Sequence, residues 1–231
     1  MKQQVELVVF DMAGTTIADD GLVTSAFERA ARECGLADDD AGLATALAYV
    51  HATMGQSKIE VFRHLTAGDE ELAQRGNAAF ERAYADLVDG GACEPIPGAR
   101  EVLGTLREAG VATALTTGFS SATQEAILAA VEWGGVVDVV LCPGEGIRGR
   151  PSPDMPLTAL LRTGASAVSA MAVVGDTPSD ARSGAAAGAG LVVGVRTGGV
   201  PDDDLLAAGA HVVLDSVADL PAQLGLARSG A

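Results

Sequence analysis

Residues whose side chains could do chemistry occur in four short motifs of the sequence. The motifs are DMAGTT (residues 11–16), TTGFSS (116–121), RGRPSPD (148–154) and VVGDTPSD (173–180). They supply a carboxylate able to act as a nucleophile, a hydroxyl beside backbone N–H groups, a guanidinium, and a further pair of acids. Phosphoryl transfer to an aspartate requires these parts. Alone, Asp11 also fits a simpler role, an acid that caps the turn after a strand, and the other motifs favour chemistry.

The acids of these motifs predict a magnesium site. Mg²⁺ takes oxygen ligands and typically binds through one or two carboxylates together with a substrate phosphate. Asp11 and Asp176 would supply the carboxylates. The predicted cofactor is therefore Mg²⁺.

Short apolar runs that could form strands precede three of these groups. The runs are residues 5–10, 111–115, 136–141, 170–174, 190–195 and 211–214, and segments of helical period lie between them at about 98–109, 120–132, 155–163, 178–187 and 216–225. Strands that alternate with helices predict an α/β fold with a Rossmann-like parallel sheet. Ligands bind beyond the carboxyl ends of such strands. Asp11, Thr117 and Asp176 each follow a predicted strand, so we expect them to meet there.

Residues 20–94 interrupt the alternation with four segments of helical period and no convincing strand (24–34, 41–53, 57–66 and 69–88). The sequence therefore predicts two domains. Residues 1–18 and 95–231 would form the α/β core, and residues 19–94 would form an inserted helical cap. The stretches IADDG (17–21) and CEPIPGA (93–99) would connect the two.

Composition limits the classes of partner. The net charge is −16 without a Lys/Arg cluster, which argues against nucleic acid or an anionic membrane as a partner. The three cysteines are far apart and no CxxC pair occurs, so we interpret them as reduced, mostly buried thiols. The N-terminal apolar run stops at Asp11 and no stretch is long enough to span a membrane. These features predict a cytoplasmic protein that acts on a small molecule.

The order and spacing of the four motifs resemble the haloacid dehalogenase superfamily of hydrolases. The resemblance covers nearly the whole chain and implies that Asp11 becomes an aspartyl-phosphate, while Thr117, Gly118 and Arg150 bind the phosphate. It further implies that Asp11, the carbonyl of Ala13 and Asp176 hold Mg²⁺, with Asp180 supporting the metal shell. The inserted helices would be the family's cap domain.

Two departures from the superfamily pattern resemble its phosphonoacetaldehyde hydrolase (phosphonatase) branch. Ala13 replaces the usual second acid, and Arg150 replaces the usual lysine. Breaking a C–P bond expels carbon, so no leaving oxygen needs a proton. The resemblance implies that a lysine of the cap condenses with the substrate aldehyde, and that the resulting iminium accepts the electrons of the C–P bond.

The segment MGQSK (residues 54–58) resembles the branch's cap motif and assigns Met54, Gly55 and Lys58 to the substrate. The chain has 13 arginines but only two lysines, Lys2 and Lys58. Arginine cannot form a Schiff base, whereas lysine can lose its proton in a suitable pocket. The alternative interpretation of Lys58 is a solvated charge on a helix face.

Other cap positions depart from the branch. Val61 and Phe119 stand where the branch has histidine and tyrosine. His64 would lie off the face of Lys58, and we interpret His51 and His64 as surface residues.

The sequence is compatible with three candidate functions. The first is a Mg²⁺-dependent phosphonatase-like hydrolase acting on a small phosphonate. The second is a phosphatase of small esters or acyl phosphates that uses the same Asp11. A non-catalytic binding protein is disfavoured because every motif is intact. The phosphonatase resemblance also suggests a homodimer formed through the cap.

Overall fold

The computed structural model describes residues 4–37, 39–144 and 146–226, and within them the chain forms a six-stranded parallel sheet flanked by helices. The strands are β1 (Leu7–Asp11), β2 (Ala112–Thr116), β3 (Val139–Leu141), β4 (Met171–Gly175), β5 (Leu191–Val195) and β6 (Val212–Leu214). They pair in the order β3-β2-β1-β4-β5-β6. The predicted α/β fold is confirmed.

The helices fall into two groups along the chain. Those between β1 and β2 are α1 (Leu22–Cys34), α2 (Asp40–Ala52), α3 (Lys58–Leu65), α4 (Glu70–Asp89) and α5 (Ala99–Glu108). Those after β2 are α6 (Ser121–Ala130), α7 (Asp154–Thr163), α8 (Pro178–Ala186), α9 (Asp202–Ala207) and α10 (Leu220–Gln223). We call residues 22–89, which hold α1 to α4, the helical insertion.

Strand β1 separates two apolar layers because its side chains alternate between the faces of the sheet. Val8 and Phe10 join the larger layer, which continues into the helical insertion. Leu7 and Val9 join a smaller layer beneath α7 and α8. Both faces of the strand are buried, as its continuous apolar sequence predicts.

Aromatic side chains hold the helical insertion together. The Phe27 ring lies 4.8 Å from that of Phe62 and 4.6 Å from that of Phe80, so α1, α3 and α4 share one cluster. The ring of Tyr84 continues the cluster to Phe119, in the loop after β2, at 4.6 Å. The insertion is thereby packed directly against a loop that follows a strand of the sheet.

The structure differs from the sequence prediction at two places near the C-terminus. The segment 216–225 is a 3₁₀ turn at Val217–Asp219 followed by the short α10, because Pro221 interrupts it. Helix α9 was not predicted from the sequence. It has only six residues, three of them aspartates in the first turn, so it carries little apolar periodicity.

The sheet order places a switch point at β1. The chain leaves β1 toward β2 on one side and reaches β4 on the other, and the carboxyl ends of the three strands lie together. Crevices at such points are where ligands bind in α/β sheets.

The structure bears on two further predictions from the sequence, one about membrane spans and one about the cysteines. No helix in the described ranges is both long and apolar enough to cross a bilayer. Of the three cysteines, only Cys93 is buried, while Cys34 and Cys142 are partly exposed, so the expectation of mostly buried thiols was wrong. Lys2 lies outside the described residues.

Candidate active site

A cavity of about 600 Å³ lies between the carboxyl edge of the sheet and the helical insertion. All but one of the site residues predicted from the sequence line it: Asp11, Ala13, Met54, Gly55, Lys58, Thr117, Gly118, Arg150 and Asp176. The remaining one, Asp180, is buried behind the wall and pairs with Arg150. Groups spread over 170 positions of sequence, from 11 to 180, are therefore brought together.

Asp11 is the last residue of β1 and its side chain is only 5% exposed. Burial raises the pKa of this carboxyl to about 6, while Arg150 opposes the shift and Asp180 adds to it. The contact between Asp11 Oδ1 and Arg150 Nη2 is 2.6 Å. The carboxylate is held at the strand end with a cation beside it, as a nucleophile toward an anion would need to be.

Arg150 is a buried cation with two acids around it. Its Nη1 donates to Asp180, whose other carboxylate oxygen completes a capping box with Thr177 at the start of α8. Although Nη2 lies close to Asp11, neither it nor Nε has a hydrogen-bond partner of good geometry in the part of the chain that is described. Buried donors normally find an acceptor. An anionic group in the cavity would supply one.

Asp176 follows β4 and lies in a tight space. Thr15 Oγ1 donates to its Oδ1 at 2.8 Å. A Cβ on Gly14 would lie 2.4 Å from Asp176 Oδ2, and one on Gly198 would lie 1.9 Å from it, so only glycine fits at either position. Burial raises the pKa of Asp176 well above its usual value, and the charges of Asp11 and Asp180 raise it further.

The three acids form a group that fits a divalent cation. Oxygens of Asp11, Asp176 and Asp180 all lie within 4.8 Å of one another, and all three residues are buried. Carboxylates this close repel each other unless a cation lies between them. Arg150 neutralises one side of the group, and the donor set on the other side is of the hard oxygen type that Mg²⁺ prefers.

The loop after β2 supplies hydrogen-bond groups near Asp11. Thr117 is buried, and its Oγ1 accepts a hydrogen bond from the N–H of Phe119 at 3.2 Å. Ser120 then caps α6 by accepting from Thr123 N at 3.4 Å. A strand-to-helix turn of this kind presents N–H groups toward an anion.

Lys58 is the first residue of α3 and is buried, so the alternative of a solvated surface charge was wrong. Its backbone N–H donates to the carbonyl of Gly118 at 3.1 Å, and its Nζ lies 5.1 Å from the centre of the Phe119 ring. Burial lowers the pKa of Lys58 to about 8, although Asp19 opposes the shift. A fraction of this amine is therefore neutral at physiological pH.

Residues 54–58, which we call the docking segment, contact three loops of the core. A Cβ on Gly55 would lie 2.5 Å from Thr177 Oγ1, and one on Gly118 would lie 2.2 Å from the carbonyl oxygen of Gln56. A Cβ on Gly149 would lie 2.9 Å from the Cβ of Ser57. Glycine on both sides of the contact lets the docking segment approach closely enough to bury Lys58.

Sequence reasoning missed Asp19 and His51, among other residues of the cavity wall. Asp19 was interpreted as part of a connector, and its Oδ1 accepts from Val23 N at 3.1 Å near the start of α1. His51 is exposed as predicted but also lines the cavity, which its position before Gly55 did not reveal. His64 is exposed and stacks on Tyr49, with ring centres 3.9 Å apart.

This arrangement has the parts for two linked kinds of chemistry. On the sheet side, a carboxylate, a guanidinium and an acid cluster suit transfer of a phosphorus group to Asp11. On the helical side, a buried amine with a lowered pKa suits attack on a carbonyl carbon.

Comparisons with known proteins find similar chains among hydrolases. The family model of haloacid dehalogenase-like hydrolases matches residues 5–188. A phosphonoacetaldehyde hydrolase of Parabacteroides distasonis is 33% identical over 168 residues, a match that spans 62% of this chain and 63% of that protein. A protein named "Probable phosphatase IndB" from Dickeya dadantii is 28% identical over 220 residues, covering 93% of this chain and 91% of that protein.

A solved structure shares the whole architecture. The crystal structure of a phosphonoacetaldehyde hydrolase-like protein from Oleispira antarctica superposes with a TM-score of 0.81 at 26% sequence identity. The superposition covers 97% of this chain and 92% of that one.

Proposed function

Since this chain belongs to the haloacid dehalogenase-like hydrolase family, we propose that it is a phosphonatase-like hydrolase. Its substrate is a small phosphonate that carries a carbonyl group, similar to phosphonoacetaldehyde. The observation that carries the proposal is the buried amine of Lys58, which shares one cavity with Asp11. Lys58 forms a Schiff base with the carbonyl, and Asp11 accepts the phosphorus group.

The sheet side of the cavity binds the phosphonate group and accepts the phosphorus. Arg150, whose Nε has no acceptor among the described residues, binds the phosphonate oxygens together with Thr117 and the N–H of Gly118. Asp11 attacks the phosphorus and becomes an aspartyl-phosphate, which water then hydrolyses to phosphate. Asp11, the carbonyl of Ala13 and Asp176 would hold Mg²⁺, with Asp180 behind them, and the bound ion would offset the charge of the phosphonate.

The helical side of the cavity acts on the carbonyl group of the substrate. The neutral amine of Lys58 adds to the carbonyl, water leaves, and a protonated imine forms. When Asp11 attacks, the electrons of the C–P bond move into this imine and give an enamine. Protonation at carbon and hydrolysis then release the aldehyde and restore Lys58.

Ala13 is consistent with this route. A general acid two residues after Asp11 would protonate a leaving oxygen. Carbon leaves as an enamine and needs no such acid at that moment. The apolar methyl group of Ala13 at the cavity wall is therefore no obstacle to C–P cleavage.

A phosphatase acting on a small ester or acyl phosphate is the second candidate. The likeness to the protein named as a phosphatase in Dickeya dadantii, which spans 93% of this chain, favours it. The sheet side would work in the same way, and Lys58 would only bind the anionic part of the substrate. Good leaving groups need little help from an acid at position 13.

The proposal also includes the division of the chain into domains. We assign residues 1–18 and 95–231 to the hydrolase core and residues 19–94 to the cap domain. The same proposal includes a cytoplasmic location, a small-molecule phosphonate or phosphate as the binding partner, and a homodimer formed through the cap.

Lys58 decides between the two candidates, and the test is borohydride trapping with phosphonoacetaldehyde. On the phosphonatase proposal, mass spectrometry finds a reduced adduct on Lys58 in the wild type. Lys58→Arg forms no adduct and loses C–P cleavage, because a guanidinium cannot form the imine. Lys2→Arg is the matched control, since Lys2 is the other lysine of the chain.

The opposite pattern supports the phosphatase. In that case no adduct appears on Lys58, and Lys58→Arg raises KM for the phosphate substrate while kcat changes little, because only charge recognition is altered.

A further inference from the structure

The Schiff base of the proposed function requires a proton donor that has not yet been assigned. When the amine of Lys58 has added to a carbonyl, the new hydroxyl must leave as water, and it needs a proton to do so. Asp11 and Asp176 are committed to the phosphorus side. Ala13 and Val61, the latter one turn along α3 from Lys58, cannot exchange protons.

Asp19 is a carboxylate that lines the same cavity as Lys58. It lines the cavity and is half-buried just before α1, and its Oδ1 is fixed by the N–H of Val23 at 3.1 Å. One carboxylate oxygen is thereby anchored on the backbone, which leaves the other free of that bond. Asp19 raises the pKa of Lys58 more strongly than Asp11 or Asp176 does. Five carboxylates line the cavity: Asp11 and Asp176 serve the phosphorus side, and Asp20 and Asp204 are exposed, which leaves Asp19 as the half-buried acid available to the amine.

Other titratable groups around Asp19 and Lys58 are less suited. Asp20 and His51 are exposed to solvent. Burial raises the pKa of the Tyr84 hydroxyl far above its usual value, so it neither accepts nor releases a proton readily. Arg150 stays protonated between its two acids. The described titratable groups that line this cavity or interact with the pair are Asp11, Asp20, His51, Tyr84, Arg150, Asp176 and Asp204.

We propose that Asp19 is the acid–base residue for Schiff-base formation at Lys58. Through a bridging water, because the two groups are more than 4.0 Å apart, the Asp19 carboxylate takes a proton from the Lys58 ammonium, and the neutral amine adds to the carbonyl carbon as the C=O electrons move to oxygen. A second proton passes from nitrogen to that oxygen. Asp19 then returns its proton to the hydroxyl, the C–O bond breaks, water leaves, and the nitrogen lone pair closes the C=N bond. Asp19 ends as the carboxylate with which it began.

The first part of the test measures how fast a borohydride-trapped adduct appears on Lys58 with phosphonoacetaldehyde. We expect Asp19→Asn to slow trapping at pH 7.5 by about 10²-fold or more, the range typical of a positioned acid–base group. Asparagine can still accept a hydrogen bond from Val23 N, so the contact near the start of α1 is kept. Asp19→Glu should restore part of the rate, and the exposed neighbour Asp20→Asn is the matched control for loss of one charge.

The pH profile separates proton transfer from a charge effect. Wild-type trapping should fall above about pH 8, where Lys58 loses the proton that the pair shares. In Asp19→Asn the rate should instead rise with pH, because only the neutral amine can then add. If Asp19 merely raised the pKa of Lys58, removing its charge would speed trapping at pH 7.5.

Each outcome is decisive. Trapping in Asp19→Asn that equals or exceeds the wild-type rate overturns the role of Asp19 and leaves the phosphonatase proposal intact. Equal slowing by Asp20→Asn also overturns it, since the effect would then be one of general charge. Absence of an adduct in the wild type overturns the proposed function itself, and the role of Asp19 with it.

Discussion

The two walls of the cavity hold their charges in opposite ways. On the sheet side, Asp11 and Asp180 both pair with Arg150, and Asp176 accepts a hydrogen bond from Thr15. On the helical side, Lys58 is equally buried, yet among the described residues no carboxylate lies within 4.0 Å of its amine. One wall is a network of compensated charges, and the other holds a lone amine against an aromatic ring.

This difference separates the part of the reaction that both candidate functions share from the part in which they differ. A compensated network is arranged before the substrate arrives, so it can stabilise the charge that develops on phosphorus whatever the leaving group is. An uncompensated buried amine is less favourable for the folded protein, and it is reactive because it is partly neutral. On the proposed function, the sheet wall carries out the transfer to Asp11, and the helical wall selects which bond is broken.

The largest expected effect comes from Asp11→Asn, which removes the group that both candidate functions share. Phosphate release should fall by at least about 10³-fold with phosphonoacetaldehyde and with acetyl phosphate alike. The fold should persist, because the amide fills the same space, and circular dichroism checks this. Retention of more than a few per cent of Mg²⁺-dependent phosphate release would contradict covalent transfer to Asp11. The sheet wall would then not carry the step that both candidate functions share.

Arg150→Met tests whether the sheet wall depends on compensation. The substitution leaves Asp11 and Asp180 buried without their counter-ion, and breaking a buried pair in this way typically costs about 3–5 kcal/mol. Urea denaturation in the presence of a chelator should show a loss of that order. Stability equal to that of the wild type would mean that the two acids do not need the guanidinium.

Lys58→Met should have the smallest effect and the opposite sign. Methionine fills similar space against Phe119 and carries no charge, so the variant should be more stable than the wild type at pH 7 by about 1–3 kcal/mol. The folded pKa of Lys58, about 8, lies below the ordinary value of 10.5, so the folded protein binds fewer protons than the unfolded chain between those values. Wild-type stability therefore rises with pH across that range.

The advantage of Lys58→Met should shrink accordingly from pH 8 to pH 10.5. Urea denaturation of both proteins at several pH values measures it. An advantage that stays constant or grows with pH would show that the amine is not held in an unfavourable charged state.

The sheet wall was largely predictable from the sequence. Apolar runs that end in Asp11, Thr117 and Asp176 predict strands, and parallel strands bring their carboxyl ends to one edge. The pairing of Arg150 with both Asp11 and Asp180 was not predicted, because it depends on how the loop before α7 folds back toward α8.

The helical wall was harder to predict. The insertion is placed by contacts between distant aromatic residues, such as Phe27 with Phe80 and Tyr84 with Phe119, and these follow no local pattern. The sequence predicted that Lys58 matters but left its burial open. Asp19 was hidden because an acid just before a helix usually caps it, and Asp19 does bond to Val23 near the start of α1 as well as facing the cavity.

The glycine contacts of the docking segment couple movement to proton exchange. They keep water from Lys58, so any opening that lifts the segment from Gly118 lets the amine pKa return toward 10.5 from about 8. Closing between those pH values then releases a proton, and each added pH unit favours the closed form by about tenfold. Any motion that separates Gly55, Gly118 and Gly149 from their contacts would therefore be coupled to proton uptake by Lys58.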